Sequence, residues 1–356
     1  MTKKVYYTLQ SDLEAYPEAW CYIVYSKRGP GKTYSCLKYA YEHKIPIIYI
    51  KRTNDDVEFI CTENQNGFEV SPYAPLNRDY DFDVYPKLID KGVGGFWHYE
   101  AEEPQGLPVA YALSLNAVKR VKGFEASRCG WMVFDEFIPQ IGERVNRKEG
   151  ELVLDLYMTI SRDRQARGEP PLKLILFANA EEISTPVTNT LEVVDIIADL
   201  NASGQSHYYD QDRKILVHHI TNAEVPILDI EKVGIYEAMA NTSWGAKTFE
   251  GEFSRNDFSN VVKCNLKGYH GFIELEYKRH KYYIYSNNEG MYYMSASPAK
   301  CDIKYNLDRE TEQRAFYLNY QIDFKEAITE ERFKFQKYSM YDLIKNYKQF
   351  FDVGRW

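Results

Sequence analysis

The sequence predicts an α/β chain with a mostly parallel sheet and flanking helices, then a small helical linker, then a compact α+β tail. Three observations carry this. An apolar run, Trp20-Cys21-Tyr22-Ile23-Val24-Tyr25, flows into a loop with two glycines and then into a helical stretch. Short apolar runs alternate with helical ones as far as about residue 227. From 271 the apolar period becomes two, the mark of antiparallel strands.

Taken in order, the first strand leads through Ser26-Lys27-Arg28-Gly29-Pro30-Gly31-Lys32-Thr33 to a helix at Tyr34–Tyr41, with Leu37, Ala40 and Tyr41 on one face. Ile45-Pro46-Ile47-Ile48-Tyr49-Ile50 reads apolar on both faces, as parallel strands do, and completes a βαβ unit. Residues 62–110, rich in Asn, Pro, Gly and acidic side chains, read as a loop-heavy insertion. Trp131–Phe134 and Leu172–Phe177 are two further strands, with a helix from Glu151 to about Ile160 between them. Residues 228–262 are partly helical and polar. Phe272–Tyr277, Lys281–Tyr285 and Met291–Met294 form a meander, and helices around 308–320 and 339–350 close the chain. The organisation expected is 1–227, a linker at 228–262, and a tail at 263–356.

The chain's 356 residues exceed one ordinary domain of about 150. A hydrophobic content of 44% and an aromatic content of 15% exclude wholesale disorder. No apolar run approaches the 18 or so residues of a membrane span, and the N-terminus does not read as a secretory signal, so the expectation is a cytoplasmic protein without a membrane partner. The six cysteines contain no CxxC, so neither a zinc ribbon nor a redox motif is signalled. The net charge of −8 argues against a protein that coats nucleic acid. Residues 263–356 nevertheless carry 16 Lys+Arg against 13 Asp+Glu, which leaves −11 on the remainder.

The segment 26–33 matches G-x-x-x-x-G-K-[ST] with Ser26 in place of the first glycine. Backbone N–H groups of such a loop and the positive end of the following helix cradle phosphate. Gly29 and Gly31 permit the backbone angles this needs, Lys32 neutralises β- and γ-phosphates, and the Thr33 hydroxyl serves Mg²⁺. Tyr34 opens the helix beside them and is counted with the nucleotide-binding set. About a hundred residues later a hydrophobic strand ends in Asp135-Glu136. Asp135 is the candidate Mg²⁺ partner and Glu136 the candidate general base toward water. A kinase does not need that second carboxylate. Asn179 ends the strand Leu172–Phe177 in an amide able to orient the attacking water. Arg162, Arg164 and Arg167 lie between the two strands, where an arginine can reach a neighbouring subunit's nucleotide.

These residues together resemble the additional-strand, catalytic-glutamate class of P-loop NTPases, here ATPases. More narrowly, Lys27–Thr33, Val133-Phe134-Asp135-Glu136-Phe137, Arg162-x-Arg164 and Asn179-Ala180 resemble the DNA-packaging (encapsidation) ATPases of small short-tailed bacteriophages, relatives of the terminase large subunits. The resemblance implies a homo-oligomeric ring, usually a pentamer, at the portal vertex of a capsid in the host cytoplasm. Such a ring uses ATP and Mg²⁺ to push double-stranded viral DNA inside, in some members with a structural RNA. It implies that Arg28 is the loop arginine of packaging motors and Arg162 the finger supplied in trans. It places Lys122 near the subunit interface and Gln10 on the adenine side. The tail resembles an RNase H-like nuclease domain, read as vestigial. Glu274, Glu276, Asp302 and Asp308 do not supply the pattern of a two-metal nuclease. The turn Lys278-Arg279-His280-Lys281 is available to a phosphate backbone. The alternatives are a nuclease-competent terminase and an ATP-driven assembly or secretion factor without a DNA role.

Overall fold

The apolar run after Trp20 forms a strand buried along its whole length, β1 (Cys21–Ser26), preceded by helix α1 (Leu9–Ala15). In this computed structural model the described residues are 5–63, 68–101, 103–117, 126–140, 142–227, 234–242, 245, 253 and 256–353. They fall into two compact units, residues 1–191 with 199–255, and residues 192–198 with 256–356.

In the first unit β1 leads to α2 (Lys32–Glu42), β2 (Ile47–Lys51) and α3 (Asn54–Cys61), the last closed by a reciprocal capping box between Thr53 and Asp56. Then come α4 (Ala74–Tyr80), β3 (Val84–Asp90), β4 (Val93–Glu100), β5 (Glu103–Pro104) and β6 (Ala110–Ser114). The expectation of a loop-heavy insertion at 62–110 is therefore corrected. The region folds as a helix and an antiparallel β3–β4 hairpin that extends the sheet. Its glycines had read as loop, yet they are required by close packing. A Cβ on Gly94 would stand 2.4 Å from the Cys61 sulfur of α3.

The unit continues through β7 (Trp131–Asp135), α5 (Glu149–Ser161), β8 (Lys173–Asn179), α6 (Pro186–Thr190), the later part of α7 (Val194–Ser203, whose residues 194–198 count with the second unit), β9 (His207–Asp210), β10 (Ile215–Ile220) and α8 (Ile235–Met239). The strand order is β3-β4-β6-β2-β7-β8-β1-β10-β9, with β5 on β4. From β6 to β10 every neighbouring pair is parallel. One strand, β8, stands between the loop-bearing β1 and the acidic β7, the additional strand the sequence implied. Strand β10 covers the other side of β1. Tyr22 and Val24 of β1 pack with Leu37 and Ala40 of α2 and with Val133, Ile175 and Phe177 of neighbouring strands.

The second unit contains β11 (His270–Tyr277), β12 (His280–Ser286), β13 (Tyr292–Ser295), β14 (Ile303–Asn306), α9 (Glu310–Thr329), β15 (Phe333–Phe335), α10 (Tyr338–Lys345) and α11 (Tyr347–Phe350). The meander β11–β12–β13 is antiparallel, while β14 and β15 flank it in parallel on opposite edges. Helix α9 runs nine residues beyond the expected end at 320, because Phe324, Ala327 and Ile328 continue its buried face. Asp195, in the 192–198 segment, accepts from the backbone and hydroxyl of Ser339 at the start of α10. Much of the expected 228–262 linker lies outside the described residues. The described part includes the five-residue helix α8.

Candidate active site

A parallel sheet opens a crevice at the carboxyl ends of its strands, and the sequence-predicted residues of β1, β7 and β8 all end there. Backbone bonds hold those ends in register. Ala180 N donates to Ser26 O at 3.0 Å, and Phe137 N to Phe177 O at 3.1 Å. The crevice is a cleft of about 290 Å³, lined by residues 28–34 of the loop and by Asp135, Glu136, Ala178 and Asn179.

The loop after β1 turns through Gly29 and Gly31, with φ of +90° and +91°, angles that a Cβ would oppose. Gly31 caps α2, so the first N–H groups of that helix face the turn, and Thr33 lines the cleft beside them. Lys32 is buried. Its Nζ donates to Ser26 Oγ at 2.5 Å and approaches Lys27 O and Asn179 Oδ1 at 3.4 Å each. Burial pushes its pKa down to about 8, against the pull of Asp135 and Glu136. Arg28 sits at the mouth, largely exposed, its guanidinium 4.0 Å from the buried Glu181. Tyr34 ties the cleft to α4 through a 2.9 Å bond from its hydroxyl to Asp79.

Opposite the loop, Asp135 accepts from Tyr49 Oη at 2.7 Å, which fixes its carboxylate from β2. Glu136 adopts φ of +59°, a left-handed angle that costs a non-glycine residue roughly 1–3 kcal/mol and persists only when its surroundings impose it. Arg52 imposes it. Nη2 lies 3.2 and 3.0 Å from the carbonyls of Glu136 and Phe137 and 3.1 Å from Oε1 of buried Glu149, while Nε donates to Glu149 Oε2 and Nη1 to Glu143. The Glu136 carboxylate itself meets Gln140 Nε2 at 3.2 Å and Lys51 Nζ at 3.6 Å.

Thus Arg28, Gly29, Gly31, Lys32, Thr33, Tyr34, Asp135, Glu136 and Asn179 converge on one cleft. Two of the described candidates do not. Gln10 is exposed on α1 and donates to Glu14 at 2.7 Å. It is not among the lining residues, because the helix turns it to solvent. The N-terminal contact to the loop is made instead by Tyr6, whose ring lies against Gly31, and by Tyr7 N, which donates to Pro30 O at 3.0 Å. Lys122 lies outside the described residues. Arg162 caps the carboxyl end of α5, exposed and away from this cleft. Of its neighbours, Arg164 is buried and bound to the carbonyls of Ser127, Cys129 and Pro170, a packing role. Arg167 pairs with Glu169. Sequence reasoning missed Tyr49, Lys51 and Arg52. Their only signal was that they lie at or beside the end of a strand next to the acidic one.

No known family's sequence profile matches the chain, and no curated protein sequence does either. Solved structures do. The Phi-28 gp11 DNA packaging motor superposes with a TM-score of 0.63 at 14% identity, over 99% of this chain and 99% of that one. A chain of the bacteriophage Phi-29 viral genome packaging motor assembly superposes at 0.64 and 15% identity, over 97% of this chain and 99% of that one. Across nearly its whole length, then, the chain has the fold of two phage packaging-motor proteins.

Proposed function

We propose that the chain is an ATP-hydrolysing motor subunit that translocates viral double-stranded DNA into a capsid as part of a homo-oligomeric ring. The single observation that carries this is the meeting of Lys32, Thr33, Asp135, Glu136 and Asn179 in one cleft of a fold shared end to end with packaging motors. The residues fit a triphosphate and its magnesium ion. The positive-φ loop supplies inward N–H groups, Lys32 supplies a desolvated cation, and Thr33 and Asp135 supply hard oxygen ligands.

In this reading Thr33 and Asp135 would hold Mg²⁺, which would screen phosphate charge, and Tyr49 orients Asp135 from behind. Lys32 and the loop N–H groups position the β- and γ-phosphates. Glu136 accepts a proton from water while Asn179, at the tip of the additional strand, orients that water. Arg162, exposed on the first unit, acts on the nucleotide of an adjacent subunit. A pentameric ring, a portal vertex, a structural RNA and transient residence at the prohead in the host cytoplasm belong to the same proposal.

The tail acts in this reading as an RNase H-like unit that does not cut. Glu274 is occupied by Lys281 at 2.9 Å and Lys304 at 3.0 Å, and Asp308 accepts from Lys278 N. Among the described residues its carboxylates form no metal-binding cluster. Two assays test the proposal. Phosphate released from ATP to water without an acceptor separates a hydrolase from a kinase. Supercoiled plasmid left intact with Mg²⁺ or Mn²⁺ excludes the nuclease-competent alternative, and nicking would establish it.

A further inference from the structure

Asp12 of α1, His207 of β9 and His218 of β10 bring one ligand atom each to within 4.8 Å of one another, and none of them lines the phosphate cleft. The register of β9 and β10 sets His207 and His218 directly opposite, their rings 3.8 Å apart. Asp12 is buried beside them, with His218 Nδ1 2.8 Å from Oδ2 and His207 Nε2 3.5 Å from Oδ1.

What distinguishes the cluster is the treatment of the other ring nitrogens. His218 Nε2 lies 2.9 Å from Glu224 Oε2, and His207 Nδ1 lies 2.8 Å from Ser206 Oγ. Each imidazole therefore has a partner on the far side that can fix its tautomer, and an ion that displaces the proton His218 Nδ1 donates to Asp12 takes up the lone pair left on that nitrogen. That is the arrangement by which carboxylate and hydroxyl groups support metal-bound histidines. Tyr7 Oη donates to Asp12 Oδ2 at 2.7 Å and steadies the third ligand. His207 is partly exposed, which gives an ion a way in.

We propose that Asp12, His207 and His218 form a site for a first-row transition ion, Zn²⁺ by preference, with a fourth position left to water. Two imidazoles with one carboxylate select zinc over the oxygen-seeking Mg²⁺ of the phosphate cleft. The ion clips α1 to the edge of the sheet. The same N-terminal segment reaches the phosphate loop through Tyr7 N to Pro30 O at 3.0 Å and Leu9 N to Ser35 Oγ at 2.8 Å. Metal at this site therefore stiffens the approach to the loop without contacting nucleotide.

The test uses the full chain, stripped with chelator and free of nucleotide, titrated with Co²⁺ and then displaced by Zn²⁺. The expected result is one equivalent of Co²⁺ with the visible absorption of a four-coordinate site, and a rise in melting temperature on adding Zn²⁺. His207→Ala, at the partly exposed ligand where folding is least at risk, should weaken Co²⁺ binding by about tenfold or more and abolish the thermal shift. Asp135→Asn, which alters the Mg²⁺ site, should leave the Co²⁺ spectrum unchanged. Wild-type protein with no four-coordinate spectrum, or a His207→Ala protein that binds Co²⁺ as wild type does, would overturn the proposal. A spectrum lost in Asp135→Asn but kept in His207→Ala would do the same by placing the ion in the phosphate cleft.

Discussion

Lys32 Nζ donates to Ser26 Oγ at 2.5 Å, so the residue at which the phosphate-loop pattern departs from glycine is also the one that holds its lysine. Ser26 is fully buried, and its own hydroxyl donates onward to Lys27 O. The loop thus keeps a buried cation in place through a side chain that glycine could not provide.

That cation makes a prediction about stability. Burial lowers the Lys32 pKa from its ordinary 10.5 to about 8 in the folded chain. Between those values the unfolded chain binds a proton that the folded chain does not, so stability rises with pH across that window. Below pH 8 the cost of the buried charge is present in full, on the order of a few kcal/mol. Lys32→Met should therefore unfold at higher denaturant than wild type at neutral pH without nucleotide, and lose that advantage as pH rises past 10. It should also fail to bind ATP. A variant that is less stable at neutral pH, or that still binds ATP, contradicts the assignment.

Glu136→Gln keeps the shape of the side chain and removes the base. Turnover should fall by roughly 10²–10⁴-fold with ATP affinity retained. Single-turnover phosphate release beside equilibrium nucleotide binding separates the two effects, and turnover near wild type would remove Glu136 from its role.

Tyr49→Phe deletes only the hydroxyl that orients Asp135. The Mg²⁺ concentration giving half-maximal hydrolysis should rise about tenfold or more, as for lost outer-shell partners generally. An unchanged Mg²⁺ dependence would mean that Asp135 needs no such support.

Arg162→Ala should lose about 10³-fold or more in turnover when alone. Mixed with Glu136→Gln subunits it should recover part of its activity, because each defect then lies in a different protomer. If no mixing ratio restores hydrolysis, Arg162 does not act across an interface.

The part of this architecture legible in sequence was the part built from local patterns. β1, β7 and β8 are largely apolar runs, and the polar residues at or just beyond their ends are the candidates for the chemistry, so Lys32, Asp135, Glu136 and Asn179 could be named before their cleft was seen. Arg52 could not. Its value lies in carbonyls and carboxylates more than eighty residues away, a relation no spacing records. Strands β3 and β4 were hidden because Gly94 and Gly95 look like turn residues until Cys61 of α3 is packed against the first and the Trp97 ring against the second. Gln10 does not line the cleft, since α1 places it toward Glu14, and the contacts to the loop come from the Tyr6 ring and the Tyr7 backbone. The Asp12, His207 and His218 cluster joins residues nearly two hundred positions apart and left no motif at all.

The central claim, that ATP hydrolysis here serves double-stranded DNA, is tested most directly by steady-state phosphate release with and without DNA, titrated in salt, with Glu136→Gln as the blank. The account predicts stimulation by DNA that fades as salt rises, the signature of phosphate contacts made through released counterions. Hydrolysis by the wild type that is indifferent to DNA at every salt concentration, with the capsid and portal supplied, would contradict it and favour an assembly factor with no DNA role.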